Sequence, residues 1–380
     1  MSVPFIDFKD QNSIIQSKVD TGFKKVFKKG DYILGQEAVE FEGAFAKYCD
    51  CAYGVGVNSG TDALYLALSA LDIKPGDEVI VPAHTFIATA LCVSFCEAKV
   101  VFADIEPDTY NIDQKSFEKA ITKKTKAVIP VHIYGQPANM KEITAIARQH
   151  GIKIVEDAAQ AHGATYQGHR AGSLGDVACF SFYPTKGLGA CGDAGMIVTN
   201  DRAIYKKARM LRDYGRIGRY EHKIKGHNSR LDTLQAVILN AKLPHLNEWN
   251  NMRAKNAQYY GELLKSLQGV VAPLLKPDRT HVYQTFAVRL PAARLPARQG
   301  QAGVPHRDKV VEAMNAKGVS VLIHYPIPLH LQGAYSELGY KKGSFPVAEA
   351  VADEIMSLPM FPHMSKEQIE MVVEALKMSL

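Results

Sequence analysis

The apolar positions of this chain fall in short runs that alternate with longer amphipathic stretches, beginning near residue 52. Short apolar runs bounded by Gly, Pro or charge read as strands; apolar positions at helical spacing read as helices. The pattern predicts strands at 53–57, 78–81, 100–104, 127–131 and 152–155. Helices are predicted between them, at 61–71, 85–97, 114–121 and 139–150. Strands at 177–182 and 196–198 and a helix at 202–214 follow. Such alternation implies an α/β fold with a mostly parallel central sheet, flanked by helices on both faces. A long helical pattern runs from 231 to 243 and on past Pro244 to about 267. It divides the chain into a large domain, 1–245, and a smaller α+β C-terminal domain, 246–380. The latter has strands predicted at 282–290 and 319–323 and helices at 307–317, 346–356 and 366–378. The segment from Pro291 to Val304 has two arginines, no acid and little periodicity, and reads as an exposed loop.

Composition narrows the class without naming it. With 380 residues, 47% of them hydrophobic, the chain can bury the cores of two domains. A net charge of +6 slightly favours acidic small-molecule substrates and gives no reason to invoke nucleic acid. Charges at Asp7, Lys9 and Asp10 stand where a signal peptide would be apolar. Apolar stretches such as 90–96 fall far short of the ~20 residues that span a bilayer. The expectation is a cytoplasmic protein without a membrane partner. The cysteines (Cys49, Cys51, Cys92, Cys96, Cys179, Cys191) form no zinc-like spacing and read as buried reduced thiols, so no metal is expected.

The stretch from Ile154 to Thr199 is the richest in chemistry. Asp157 closely follows one strand pattern, and Lys186 sits in a Pro- and Gly-flanked loop after the next. A carboxylate and a lysine at neighbouring strand ends are what pyridoxal phosphate needs. The lysine holds the aldehyde as a Schiff base and then moves protons. The carboxylate keeps the pyridine nitrogen protonated, so that the ring accepts electrons. One Asp and one Lys at strand ends are common, so the pair gains meaning from its surroundings.

Those surroundings are suggestive one by one. The segment Asn58 to Ala63 follows a strand and opens a helix, with Gly60 allowing close approach; unpaired first-turn amides there suit a phosphate. An ordinary cap by Ser59 or Thr61 is the plainer reading. Phe86 could stack on an aromatic cofactor or simply fill the core. Gln160 and His162 could each bond a cofactor hydroxyl, and Ser181 a phosphate or a strand-end amide. The stretch from Arg212 to Arg230 holds six Lys or Arg against two acids; it is either a solvated loop or a diphosphate-binding or interface loop. Two prolines, Pro326 and Pro328, present His324, Tyr325 and His330 rigidly, as a substrate wall or a structural turn. A rival comes from glycines. Gly54, Gly56 and Gly60 approximate a dinucleotide fingerprint, and Gly187, Gly189 and Gly192 match one. The second precedes a strand instead of opening a helix, and the first lacks its acidic strand end, which disfavours a nicotinamide oxidoreductase.

Taken in order, NSGTDAL, PAHTFIAT, VHIYGQP, VEDAAQAHGA, GDVACFSFYPTK, NSRLDTLQA and HYPIPLHLQ resemble the DegT/StrS-type sugar-nucleotide aminotransferases over nearly the whole chain. These are pyridoxal phosphate enzymes of the aspartate-aminotransferase fold. The resemblance implies that Lys186 is the Schiff-base lysine and general acid/base, and that Asp157 pairs with the pyridinium nitrogen. It implies Phe86 as the ring-stacking aromatic, Gly60, Thr61 and Ser181 as phosphate ligands, and Gln160 at the phenolic oxygen. Asn228 would reach the phosphate from a partner subunit, making a homodimer with shared active sites. Tyr183, His324, Tyr325 and His330 would line the sugar side. L-glutamate would load the amine, giving the pyridoxamine phosphate form, for transfer to a nucleotide-linked keto-sugar. VHIYGQP and HYPIPLHLQ look most like members that aminate C-3 of a dTDP-linked 6-deoxyhexose; a UDP-linked 3-keto-uronate or a 4-keto-sugar is the alternative. A non-catalytic regulatory protein on the same fold is a further rival, disfavoured by the retention of Lys186 with Asp157. Gly187 and Ala194 depart from the residues frequent in relatives, but neither removes an assigned group.

Overall fold

A computed structural model describes residues 2–291 and 306–380. The strands in chain order are β1 (Tyr53–Val57), β2 (Glu78–Pro82), β3 (Lys99–Ala103), β4 (Thr125–Val128), β5 (Lys153–Asp157), β6 (Thr165–Tyr166), β7 (His169–Arg170), β8 (Val177–Ser181), β9 (Gly195–Thr199), β10 (Phe286–Arg289) and β11 (Ile355–Leu358). The helices are α1 (Lys9–Lys29), α2 (Gln36–Tyr48), α3 (Gly60–Ala70), α4 (Ala88–Phe95), α5 (Gln114–Ala120), α6 (Met140–His150), α7 (Arg202–Leu211), α8 (Thr233–Lys242), α9 (Leu246–Leu264), α10 (His306–Ala316), α11 (Pro346–Glu354) and α12 (Lys366–Lys377).

Seven strands form the central sheet, in the order β1-β9-β8-β5-β4-β2-β3. All neighbours run parallel except β9, which is antiparallel to both β1 and β8. The parallel strands read as near-continuous apolar runs because helices cover both faces. On one face α3 packs Leu64, Leu66, Ala67 and Leu68 against strand residues such as Val55, Val79 and Val177. Leu66 is fully buried there, and its truncation to Ala should cost ~2–5 kcal/mol. On the other face Ile80, Val128 and Ile154 meet Phe117, Met140 and Ile143 from α5 and α6.

The helical pattern around Pro244 resolves into α8 and α9, joined by a 3-10 turn at Leu243–His245. Proline cannot donate into the ladder, and the bonding there switches to the 3-10 pattern, with the Leu246 amide donating to Leu243. Beyond it a second core gathers Tyr260 and Leu264 of α9, the β10–β11 pair, and Met314, Val372 and Leu376. Val3 joins this core and bridges to Val319.

Two predictions in this part differ from the structure. Residues 319–323 make only isolated bridges, at Val319 and Leu322. The helix predicted at 346–356 stops at Glu354, because Ile355 and Met356 turn into β11 and pair with β10. Residues 292–304 of the predicted loop lie outside the described residues. Of the six cysteines, Cys191 is exposed instead of buried. Among the described residues, no helix is long and apolar enough to cross a membrane.

Candidate active site

The carboxyl ends of β5 and β8 and the N-terminus of α3 surround a cavity of about 550 Å³. Parallel sheets place ligands at this end because the strand-to-helix loops and unpaired helix amides face it. Asp157 is the last residue of β5, held in register by its own N–H donating to Pro130 at 2.9 Å. Its carboxylate is buried. Oδ2 accepts the hydroxyl of Thr89 at 2.8 Å, and Oδ1 accepts the amide of Ala159 at 3.2 Å. Burial raises its pKa above the ordinary aspartate value, with Thr89, the Ala159 amide and Lys186 partly opposing.

Lys186 lines the same cavity. Burial lowers the pKa of its amine, and only the charge of Asp157 pulls the other way. A neutral amine is the nucleophilic and proton-accepting form, so desolvation prepares this lysine for reaction. Its loop is pinned from three sides. The Lys186 amide donates to Tyr183 at 2.8 Å, the side chain of Gln284 bridges Gly187 and Thr185, and buried Lys242 donates to the carbonyl of Gly189 at 2.7 Å.

At the α3 end, Ser59 is the cap, accepting the amide of Asp62 at 3.1 Å. The amides of Gly60 and Thr61 precede the first intrahelical bond and face the cavity region. Gly60 is required by close approach: a Cβ there would meet the Cβ of Ser181 at 2.6 Å. Ser181 uses its hydroxyl to accept the amide of Tyr183 at 3.3 Å, which is the strand-end reading, and the residue also lines the cavity.

Phe86, Gln160, Tyr183, His324 and Tyr325 also line this cavity. Phe86 is half-exposed, its ring tilted against that of Tyr325 with centroids 5.9 Å apart. Gln160 donates to the hydroxyl of Tyr325 at 3.2 Å. His324 has its pKa pulled down to about 4 by burial and by Lys186.

Two predicted residues stand elsewhere. His330 does not line the cavity. The turn after Pro328 coils into a 3-10 segment whose Leu329 amide bonds to Ala83, so His330 points into the core. There it bonds to Glu349 at 2.9 Å and packs on Phe345. Asn228 sits in an adjoining groove with Asn58, Arg230 and Gln235, connected to the cavity through the shared Ser59 and Asp193. His162, weighed as a cofactor ligand, is instead buried and bonded to the carbonyl of Ser181 at 2.9 Å.

The structure adds residues the sequence reading passed over: Thr85, Thr89, Asp193, Gln284, and Phe5 and Ile6 from the N-terminus. Thr85 and Thr89, one helical turn apart in PAHTFIAT, carried the available signal; Phe5 and Ile6 carried none.

The fit to pyridoxal phosphate rests on three features. A buried carboxylate with a raised pKa gains by meeting a protonated ring nitrogen. A desolvated lysine stands ready for an aldehyde. A glycine-cleared helix N-terminus can hold a phosphate.

Comparison with known proteins agrees. The chain is 43% identical to the "Pleiotropic regulatory protein" of Geobacillus stearothermophilus, over 98% of this chain and 97% of that one. It is 44% identical to dTDP-3-amino-3,4,6-trideoxy-alpha-D-glucose transaminase of Streptomyces venezuelae, over 99% and 95%. It is 42% identical to a UDP-N-acetyl-3-dehydro-alpha-D-glucosamine 3-aminotransferase of Acidithiobacillus ferrooxidans, over 100% and 98%. The crystal structure of S. venezuelae DesV in complex with a ketimine intermediate superposes with a TM-score of 0.93 at 43% identity, covering 99% of this chain and 98% of that one. The family model for the DegT/DnrJ/EryC1/StrS aminotransferases matches residues 13–377. With Lys186 and Asp157 meeting at one cavity, the chain belongs to that family and is a pyridoxal-phosphate-dependent aminotransferase of sugar nucleotides.

Proposed function

We propose that this enzyme moves the amino group of L-glutamate to C-3 of a nucleotide-linked 3-keto-sugar, a dTDP-linked 3-keto-6-deoxyhexose. The supporting observation is that full-length relatives differing in nucleotide, one dTDP-linked and one UDP-linked, both carry the amine at C-3 by name. The dTDP relative has the higher identity, and a UDP-linked 3-keto-sugar is the second reading on the strength of the other.

Bound pyridoxal phosphate supplies an electron-accepting ring and the carbon that carries the amine. The chain's residues divide the remaining tasks. Lys186 accepts and returns protons at Nζ. Asp157 keeps the ring nitrogen charged, and Phe86 covers the ring. Gly60, Thr61 and Ser181 hold the phosphate, with Gln160 at the phenolic oxygen. Tyr183, His324 and Tyr325 fix how deep the sugar sits, which selects the carbon presented to the amine.

We further propose a homodimer with shared sites. Glutamate carries two carboxylates and the sugar nucleotide a diphosphate, yet Lys186 is the only Lys or Arg among the described residues lining the cavity. The missing cations and Asn228 would come from the 212–230 loop of a second copy. Incubation with glutamate and dTDP-3-keto, dTDP-4-keto or UDP-3-keto sugars, read by mass spectrometry, tests the substrate. Amination of the 4-keto sugar alone overturns it. Mixing Lys186→Ala and Asn228→Ala proteins should restore activity through hybrid dimers, and a fully active monomer overturns sharing.

A further inference from the structure

Tyr134 lies behind the cavity wall, 2% exposed, at a φ of 57°. Positive φ is sparsely populated for a residue with a Cβ, so the surroundings must hold it there. The next residue, Gly135, has φ 108°, and a Cβ on it would meet Val282 at 2.7 Å. This wedged turn points the Tyr134 amide at Oε1 of Gln160, 2.6 Å away. A backbone N–H only donates, so the carbonyl of Gln160 must face Tyr134 and its NH₂ must face the other way. One of those N–H bonds goes to the Tyr325 hydroxyl, and the other is left on the cavity side.

The Tyr134 hydroxyl is committed as well. It donates to the backbone carbonyl of His324. Its single proton being used, Nε2 of His84 at 2.7 Å must be the donor to it. Nδ1 of His84 is then a buried lone pair, without a partner among the described residues. A neutral imidazole fits, since burial pulls the pKa of His84 down to about 3.

We propose that Tyr134 is a positioning residue for both halves of the site: its amide makes Gln160 present N–H, not carbonyl, to the cofactor's ring oxygen, and its hydroxyl sets the His324–Tyr325 segment on the substrate side. This rests on the cofactor placement proposed above.

Two variants separate the roles. Tyr134→Phe keeps the amide and loses the hydroxyl. The KM for the keto-sugar nucleotide should rise about tenfold, the scale of one lost buried hydrogen bond, while the dissociation constant for pyridoxal phosphate stays within about twofold. Gln160→Glu still accepts from Tyr134 but offers the cavity an acceptor. Apo-enzyme titration should show affinity for pyridoxal phosphate about tenfold weaker, a readout independent of turnover. A Tyr134→Phe enzyme altered only in thermal stability, or a Gln160→Glu enzyme that binds pyridoxal phosphate like the wild type, overturns the inference. Lys186→Ala is titrated alongside. If the cofactor's spectral response survives that substitution, the cofactor lies elsewhere and both readings fall. If it is lost while the other two variants match the wild type, only the inference about Tyr134 falls.

Discussion

Glu156 and Asp157 are neighbours on β5, both buried, and differ by one methylene, yet they face opposite sides of the sheet and do opposite things. Glu156 points to the back. Its two oxygens accept from Nε2 of His132 at 2.9 Å and from the amides of Gly172, Leu174 and Gly175 at 2.7 to 2.8 Å. A carboxylate has about four acceptor sites, and all of them are used. Asp157 points to the cavity and accepts only from Thr89 and Ala159. Its remaining lone pairs are left open at the cavity, and burial raises its pKa. A saturated carboxylate is architecture; an unsaturated one at a cavity is a site.

Lys186 marks the functional side most sharply. Lys186→Ala removes the only described lysine facing Asp157 across the cavity, and we expect turnover with glutamate to fall to trace while the protein stays folded. Mass spectrometry of the product and far-UV circular dichroism check the two halves. Asp157→Asn comes next. Loss of one preorganised charge at a reacting group typically costs ~10²–10³ in rate, so kcat should fall by that order with Lys186 still reactive. A variant with near-normal kcat would make Asp157 merely a strand-end residue. The rate at which apo-protein combines with pyridoxal phosphate, followed by absorbance, should also rise with pH as Lys186 deprotonates, with a midpoint below the ordinary lysine range because burial disfavours its charge. In Asp157→Asn that midpoint should move lower still, since the carboxylate is what holds it up; an unmoved midpoint would uncouple the pair.

On the back of the sheet the same chemical change should act on stability. In Glu156→Gln an NH₂ replaces an oxygen among fixed backbone N–H donors that cannot turn away. Breaking such a buried charged network costs ~3–5 kcal/mol. Urea denaturation should report it, with the specific activity of the folded fraction little altered.

Only part of this contrast was legible in the sequence. Asp157 and Lys186 could be found because parallel strands are continuous apolar runs, and the residues just past their ends mark the ligand-binding edge. The boundaries of α3 and β1 were legible for the same reason, Ser59 and Gly60 punctuating them. Glu156 was not singled out, because its partners at 132 and 172–175 meet it only through tertiary packing. His330 was misplaced, since Pro326 and Pro328 advertise rigidity without saying which way the chain then coils. Phe5 and Ile6 reach the cavity because Val3 bridges to Val319, a pairing across most of the chain. The strand Ile355–Leu358 was hidden because its apolar residues continue the helical spacing of α11.

The smallest expected effect is the one that turns the comparison around. Asp157 has a raised pKa in the folded protein, with burial the largest cause. It therefore holds its proton more tightly folded than unfolded, and that contribution is fully present below the unfolded value and lost as pH rises through the folded one. At neutral pH the ionised carboxylate is a net cost to the apo-protein. Asp157→Asn removes the charge and can keep both hydrogen bonds. Oδ1 still accepts from Ala159, while Thr89 can rotate to accept from the new amide and donate to Thr85, 3.2 Å away. The apo form of Asp157→Asn should thus be more stable than the wild type at pH 7, by ~1 kcal/mol, as when a strained functional site is relaxed. The sign should reverse with cofactor bound, where a protonated ring nitrogen offsets the buried charge. Thermal melts of apo and loaded protein decide it, and an apo variant less stable than the wild type would place Asp157 with Glu156, on the structural side of the strand.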